Sequence, residues 1–157
     1  MQPIVAVIAP GMMGSAVAKR LTANGLEVRT LLDGRGPDTL ARAKAAGMAG
    51  ASEAQIAACD FILSILPPGS ALELAERLAP ALRAAAKKPI YTDCNALDPA
   101  SVLRIARVVE ETGASFVDGG IIGGPPEPDS KNTRIYLSGP DAAKVKTLEQ
   151  YGLNMPL

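Results

Sequence analysis

Short apolar runs, separated by longer amphipathic stretches, recur along the whole chain. Continuous runs rich in β-branched residues are typical of strands that are buried on both faces of a parallel sheet. They predict strands at residues 4–8, 27–32, 61–66, 90–94, 115–122 and 134–137, and the start of one more strand at residues 153–157.

The intervals between these runs carry apolar residues at helical spacing, together with helix start and stop signals. Ser52 and Gln55 form a capping-box pattern, and Asp98 followed by Pro99 marks another helix start. Pro80 is expected to break or kink the helix that contains it. The predicted helices include residues 11–24, 38–46, 72–78 and 142–151, with two more that begin at residues 52 and 98.

Strands that alternate with helices at this spacing predict βαβ units. We therefore expect an α/β protein of the Rossmann type, with a doubly wound, mostly parallel sheet and helices on both faces. A length of 157 residues suits one domain, residues 1–157.

Composition narrows the class of function. Sixteen basic and sixteen acidic residues give zero net charge, so neither a nucleic acid nor a membrane surface is an expected partner. Cys59 and Cys94 have neither disulfide nor metal spacing, and we expect both to be buried. The chain lacks a signal-peptide pattern and a long apolar segment, which favours the cytoplasm. Histidine is absent, so we expect no metal site and no histidine-based catalysis.

The turn after the first predicted strand has the pattern of a dinucleotide-binding site. Its sequence is A-x-G-x-x-G, with Ala9 in place of the usual first glycine. Gly11 lets the backbone approach a pyrophosphate, and an amide of Met12 or Met13 donates to a phosphate oxygen. Gly14 lets the helix pack closely on the strand. The alternative interpretation is a packing turn of an ordinary α/β domain.

The end of the second predicted strand carries two charged residues that bear on the choice of cofactor. Asp33 follows Gly11 by 22 positions, so its carboxylate could accept hydrogen bonds from the ribose hydroxyls of NAD, or it could be a turn residue. Arg35 could pair with the 2′-phosphate of NADP. The predicted cofactor is NADP or NAD, and the sequence leaves that choice open.

Two later strand ends belong to the edge at which doubly wound sheets bind ligands. Leu66, Pro67 and Pro68 would form a wall beside the nicotinamide ribose, or would simply end a strand. Asn95 would offer its amide to the ribose or the carboxamide, or would be a turn residue.

A glycine-rich stretch at residues 119–124 ends the strand at 115–122. Glycines weaken a strand unless a ligand or another backbone segment approaches closely. We therefore predict that substrate or nicotinamide contacts this stretch, with Ile122, Gly123 and Gly124 as substrate-binding residues.

Taken together and in order, these motifs resemble the cofactor domain of the β-hydroxyacid and 6-phosphogluconate dehydrogenase superfamily. Two later segments are most similar to a subgroup of phosphogluconate-dehydrogenase-like oxidoreductases with a poorly characterised C-terminal domain. The motifs of the superfamily lie at residues 8–15, 65–68, 93–95 and 118–124, and those of the subgroup at 121–126 and 133–139.

The resemblance implies hydride transfer between NAD(P) and a hydroxyacid-like small molecule, within a homodimer or alongside a helical second domain. The superfamily holds the substrate carboxylate with a serine where this chain has Ile122, which argues against simple 3-hydroxy acids. Its catalytic lysine lies in a helical C-terminal domain that is absent from this chain, so we assign no catalytic residue. The chain alone is expected to bind a dinucleotide without turnover. The alternative is a freestanding dinucleotide-binding or redox-sensing module without catalysis.

Overall fold

The computed structural model describes residues 2–8, 11–127 and 132–157. It contains one sheet of seven strands in the order β3-β2-β1-β4-β5-β6-β7, in which only the β6–β7 pairing is antiparallel. The strands are β1 Val5–Ile8, β2 Val28–Thr30, β3 Ala49–Gly50, β4 Phe61–Ser64, β5 Ile90–Asp93, β6 Ser115–Ile122 and β7 Arg134–Ser138.

Helices cover both faces of this sheet. The helices are α1 Met12–Ala23, α2 Pro37–Ala45, α3 Glu53–Ala57, α4 Ala71–Ala84, α5 Pro99–Glu110 and α6 Ala142–Lys146. One core cluster joins the sheet to α1, α2 and α6, and a second joins it to α3, α4 and α5. The predicted doubly wound, mostly parallel α/β fold is thereby confirmed. Within the described residues, no helix has the length and apolar character needed to cross a membrane.

The two helix starts that were predicted from neighbouring residues are confirmed. The Ser52 hydroxyl accepts from the Gln55 amide at 3.2 Å, and the Gln55 side chain accepts from the Ser52 amide at 2.8 Å, which confirms the capping box. The Asp98 side chain accepts from the Ser101 amide at 2.8 Å, and Pro99 begins α5 as predicted. Both confirmed signals satisfy helix amides with nearby side chains.

Several element predictions need correction. The second strand is shorter than residues 27–32, and the two-residue edge strand β3 was missed because it carries too few residues to show a period. Residues 147–151 form a 3-10 helix rather than a continuation of α6. Helix α4 continues through Pro80, so the expected break does not occur, and the alternative of a kink stays a prediction. Because Pro80 has no N–H, the carbonyl of Glu76 lacks its helical hydrogen-bond donor. Both residues lie on the exposed side of α4, where water can replace that donor.

The last expected strand is only half formed. The amides of Ile135 and Leu137 donate to the carbonyls of Asn154 and Pro156, each at 2.8 Å, so an extended segment runs beside β7. Pro156 has no N–H to return a hydrogen bond to β7, and a regular parallel ladder needs that return bond. Residues 153–157 are therefore attached to the sheet without forming a strand.

Candidate functional site: a cleft at the carboxyl edge of the sheet

The loops that carry the predicted site residues share one edge of the sheet. Strands β2, β1, β4, β5 and β6 are parallel neighbours, so their carboxyl ends meet at the same edge. The sheet order reverses between β1 and β4, which is where doubly wound folds bind their ligands. The cleft is therefore formed by the segments that follow these strands.

The start of α1 faces this cleft with main-chain amides that have no intrahelical acceptor. Gly11 is the N-cap residue in an extended conformation, no side chain caps the helix, and its first turn contains no acidic residue. A Cβ built on Gly11 would meet nothing within 4 Å, so the space beside the backbone is open. Helix amides that lack intrahelical partners attract anions. The arrangement fits a pyrophosphate, and Ala9 lies outside the described residues.

The remaining residues of the turn divide between solvent and core. Met12 is 70% exposed, Met13 is half-buried, and Gly14 is buried. The carbonyl of Gly11 accepts from the amide and the hydroxyl of Ser15, at 3.2 and 2.9 Å. The close packing predicted for Gly14 and the ligand contacts predicted for the other residues stay predictions.

The loop after β2 places its two charged residues differently. Asp33 is exposed in a turn that contains Gly34 at φ +75° and that is closed by the Arg35 amide donating to the Leu32 carbonyl at 3.1 Å. Arg35 is half-buried and lines an open pocket of about 180 Å³. The other lining residues are Leu66, Pro67, Ser70, Glu73, Leu74 and Arg77. Pro68 is exposed and begins a 3-10 turn, Pro68–Ser70, that leads into α4.

Arg77 lines this pocket and was not among the predicted site residues. Its Nε donates to Glu53 Oε1 at 2.6 Å, which orients the side chain beside the pocket. Ser70, Leu74 and Arg77 follow one another at helical spacing immediately after the proline loop. That spacing was the signal that could have placed Arg77 in the pocket.

Asn95 is buried and joins the ends of β4 and β5. Its Oδ1 accepts from the Leu66 amide at 2.6 Å, and its Nδ2 donates to Ser64 Oγ at 3.2 Å. The Asn95 amide in turn donates to Asp93 Oδ1 at 2.9 Å. Asn95 thus holds the β4 loop in place, and its predicted direct contact with the cofactor is untested.

Two carboxylates lie side by side beneath this network. Asp93 and Asp118 are register partners on β5 and β6. Burial raises the pKa of Asp93 to about 6, the negative charge of Asp118 adds to the shift, and the Asn95 amide opposes it. Asp93 Oδ2 has no hydrogen-bond partner among the described residues. Burial also raises the pKa of Asp118. The sequence motifs at residues 93–95 and 118–124 contained these residues, but nothing in them showed that the two carboxyl groups are neighbours.

The glycine-rich end of β6 contains glycines that are needed for close backbone packing and glycines that lie beside open space. A Cβ on Gly119 would lie 3.2 Å from the carbonyl oxygen of Asp93, and one on Gly123, which has φ +106°, would lie 2.9 Å from that of Asn132. These two glycines therefore serve close backbone packing. Cβ atoms on Gly120 and Gly124 would be unobstructed, and Ile122 is 62% exposed. The open face of the motif thus belongs to the alternate residues of the strand.

Cys59 and Cys94 are both buried and free, as predicted. Burial raises the pKa of the Cys59 thiol to about 11 and raises that of Cys94 further. A thiol is a poor nucleophile at neutral pH under these conditions, so both residues serve as core packing.

Comparison with known proteins shows which proteins this chain is similar to. The mitochondrial 3-hydroxyisobutyrate dehydrogenase of Mus musculus is 30% identical over 157 residues, which cover 96% of this chain and 46% of that protein. The conserved protein MTH1747, of unknown function and structurally similar to 3-hydroxyacid dehydrogenases, superposes with a TM-score of 0.85. It is 34% identical, and the match covers 97% of this chain and 56% of MTH1747.

The fold also occurs in an imine reductase. The V8 variant from Myxococcus stipitatus, solved in complex with NAD+, superposes with a TM-score of 0.76 at 19% identity. The match covers 100% of this chain and 55% of the imine reductase chain. The chain thus spans about half the length of the relatives it matches. Residues 4–151 match the NAD binding domain of 6-phosphogluconate dehydrogenase. The chain therefore belongs to this family of dinucleotide-binding domains.

Proposed function

We propose that the chain is the cofactor-binding part of an NAD(P)-dependent oxidoreductase that acts on a hydroxyacid-like small molecule. The start of α1 at Gly11 carries this proposal: within the described residues no side chain caps it and the space beside Gly11 is open, so its amides suit a pyrophosphate. The bound dinucleotide would supply or accept the hydride. The chain's own residues would bind the dinucleotide and orient it along the carboxyl edge of the sheet.

The pocket beside Arg35 supports acceptance of NADP. Two guanidinium groups, those of Arg35 and Arg77, line it together with the Ser70 side chain, and an exposed Asp33 stands outside it. Guanidinium groups bind phosphate strongly and bidentately, whereas a carboxylate repels it. Glu73 also lines the pocket and Arg77 is paired with Glu53, so Arg35 supplies most of the attraction for a 2′-phosphate.

The experiment is a calorimetric titration of the chain with NADPH and with NADH. We expect both to bind, and we expect Arg35→Gln to weaken NADPH about tenfold while leaving NADH nearly unchanged. Arg83→Gln removes the same charge from an exposed position of α4 outside the pocket and should alter neither affinity. Absence of binding by either coenzyme at millimolar concentration would refute the proposed function.

Catalysis requires a further group. Among the described residues, the cleft contains no lysine or histidine that could serve as the acid and base for a hydroxyl group. We propose that a helical second domain supplies it and covers the cleft, within a homodimer. The two buried free cysteines suit a reducing compartment, and we propose the cytoplasm. Assays of the chain with either coenzyme and a panel of hydroxyacids should give no turnover.

A further inference from the structure

One face of the β6–β7 pair is polar and exposed. Ile135 and Leu137 are buried under the cluster that joins the sheet to α1 and α6, whereas Arg134, Tyr136 and Ser138 alternate with them and are exposed. Side chains of register partners stand on the same face of an antiparallel pair. The exposed face therefore consists of three pairs, Asp118 with Ser138, Gly120 with Tyr136, and Ile122 with Arg134.

The chemistry of this face changes from one end to the other. At one end, the guanidinium of Arg134 lies 3.4 Å from the Tyr136 hydroxyl, and this is its one hydrogen bond within the described residues. In the middle, Gly120 leaves open space beside the Tyr136 ring. At the other end, Asn95, Asp118 and Ser138 line an open pocket of about 360 Å³.

From these observations we infer that the exposed β6–β7 face binds the substrate, with Arg134 and Tyr136 holding an anionic group and Asp118 and Ser138 holding hydroxyl groups. The assignment rests on the proposed function and names the residues that select its substrate. A guanidinium beside a hydroxyl is suited to a carboxylate or a phosphate. Carboxylate and hydroxyl oxygens accept hydrogen bonds from hydroxyl groups.

The position of Asn95 gives the bound molecule its direction. Asn95 lines the pocket at the Asp118 end and also fixes the β4 loop of the dinucleotide cleft. The hydroxyl end of the substrate therefore lies next to the coenzyme, and the anionic end points away from it toward Arg134. The Ile122 side chain can donate no hydrogen bond to an anion, and its register partner Arg134 supplies the charge instead.

The length of the face favours a longer substrate. Ser138 and Arg134 are four residues apart on β7, a separation of about 13 Å along a strand. Long side chains shorten the distance that a ligand must bridge. A hydroxy acid of five or six carbons therefore reaches more of this face than a three-carbon hydroxy acid does.

The test uses the isotopically labelled full chain, saturated with the coenzyme that it binds, and follows amide resonances by NMR. D-gluconate is the anionic probe, sorbitol is its neutral equivalent of the same length, and 3-hydroxypropanoate is the short acid. We expect D-gluconate to shift the resonances of Gly120 and Tyr136 and to bind at least about tenfold more tightly than either of the other two.

Variants assign the anion to one side chain. Arg134→Gln should weaken the binding of D-gluconate about tenfold without changing the weak binding of sorbitol. Arg134→Lys should bind D-gluconate more tightly than Arg134→Gln but less tightly than the parent. Arg104→Gln, on the exposed side of α5 outside the pocket, is the matched control and should bind like the parent.

The possible outcomes separate the two proposals. Equal D-gluconate affinities for the parent and Arg134→Gln, shifts confined to another surface, or no D-gluconate binding at all would overturn the substrate assignment while coenzyme binding stands. Failure of both coenzymes to bind counts against the proposed function itself.

Discussion

A single missing side chain decides whether an anion can reach the start of α1. Gly11 has φ −108°, which any residue can adopt, and a Cβ there meets no neighbouring atom. Gly11→Val should therefore leave the fold intact but place its methyl groups where the pyrophosphate would lie. We expect affinity for the preferred coenzyme to fall by at least about a hundredfold, measured by calorimetry.

Gly36→Val is the matched control for that change. Gly36 is the N-cap of α2, has φ −77°, and is equally unobstructed. Valine at this position should bind coenzyme like the parent. Similar losses in both variants would trace the effect to general destabilisation, and undiminished binding by Gly11→Val would place the pyrophosphate elsewhere.

Asp93 makes stability depend on pH. Its pKa is raised from 3.8 to about 6, because burial disfavours the charged form. For a carboxyl with a raised pKa, the stabilisation is complete below the unfolded value and is lost as pH rises from about 4 to about 6. Asp93→Asn keeps an oxygen to accept from the Asn95 amide and removes the buried charge.

We expect Asp93→Asn to be more stable than the parent at pH 8, by up to about 3 kcal/mol, and to differ little from it at pH 4. Urea denaturation at pH 4, 6 and 8 measures this. Asp38→Asn, in the exposed first turn of α2, should show no such rise with pH. A pH-independent difference for Asp93→Asn would show that the pKa of Asp93 is the same in the native and unfolded states.

At the scale of elements, α4 contains an avoidable defect. Pro80 lies in the helix interior on its exposed side and removes one helical hydrogen bond. Pro80→Ala restores the donor to the Glu76 carbonyl, and we expect the free energy of unfolding to rise by about 1–3 kcal/mol. The urea midpoint reports this change, and an unchanged or lower midpoint would mean that the proline ring contributes packing of its own.

The connection between β4 and β5 is a second prediction at this scale. Asn95→Ala leaves the amide of Leu66 without its acceptor and removes the bond to Ser64, so we expect a loss of about 1–3 kcal/mol in stability. Coenzyme affinity should also fall, because the loop at Leu66 and Pro67 is no longer fixed. Lost stability with unchanged affinity would limit Asn95 to a structural role.

Element type was predictable where a signal is local. Ser52, Asp98 and the apolar runs each depend on residues within a few positions, and the structure confirms them except for the strand expected at residues 153–157. Most pocket neighbours were not predictable, since Arg35 meets Arg77 and Asp93 meets Asp118 only when separate segments align in the sheet. The exposure of the β6–β7 face likewise depends on which helices cover the neighbouring strands, and no local pattern encodes that.

At the scale of the whole molecule, ligand binding should appear as stability. A coenzyme that binds only the folded state adds about 2.7 kcal/mol at a hundred times its dissociation constant. For a domain of this size we expect Tm to rise by about 5–10 °C under that condition. Differential scanning fluorimetry against coenzyme concentration measures it, with AMP as the control for binding by the adenosine half alone. A Tm independent of coenzyme concentration would contradict dinucleotide binding by this chain.

The two borders of the sheet have a consequence for the behaviour of the protein at high concentration. An open strand border is a template on which another molecule can add a strand, and such addition leads to aggregation. Here one border is β3, only two residues long, and the other is lined by a segment whose Pro156 cannot donate. Neither border offers a long row of donors and acceptors, so intermolecular sheet extension is disfavoured at both ends.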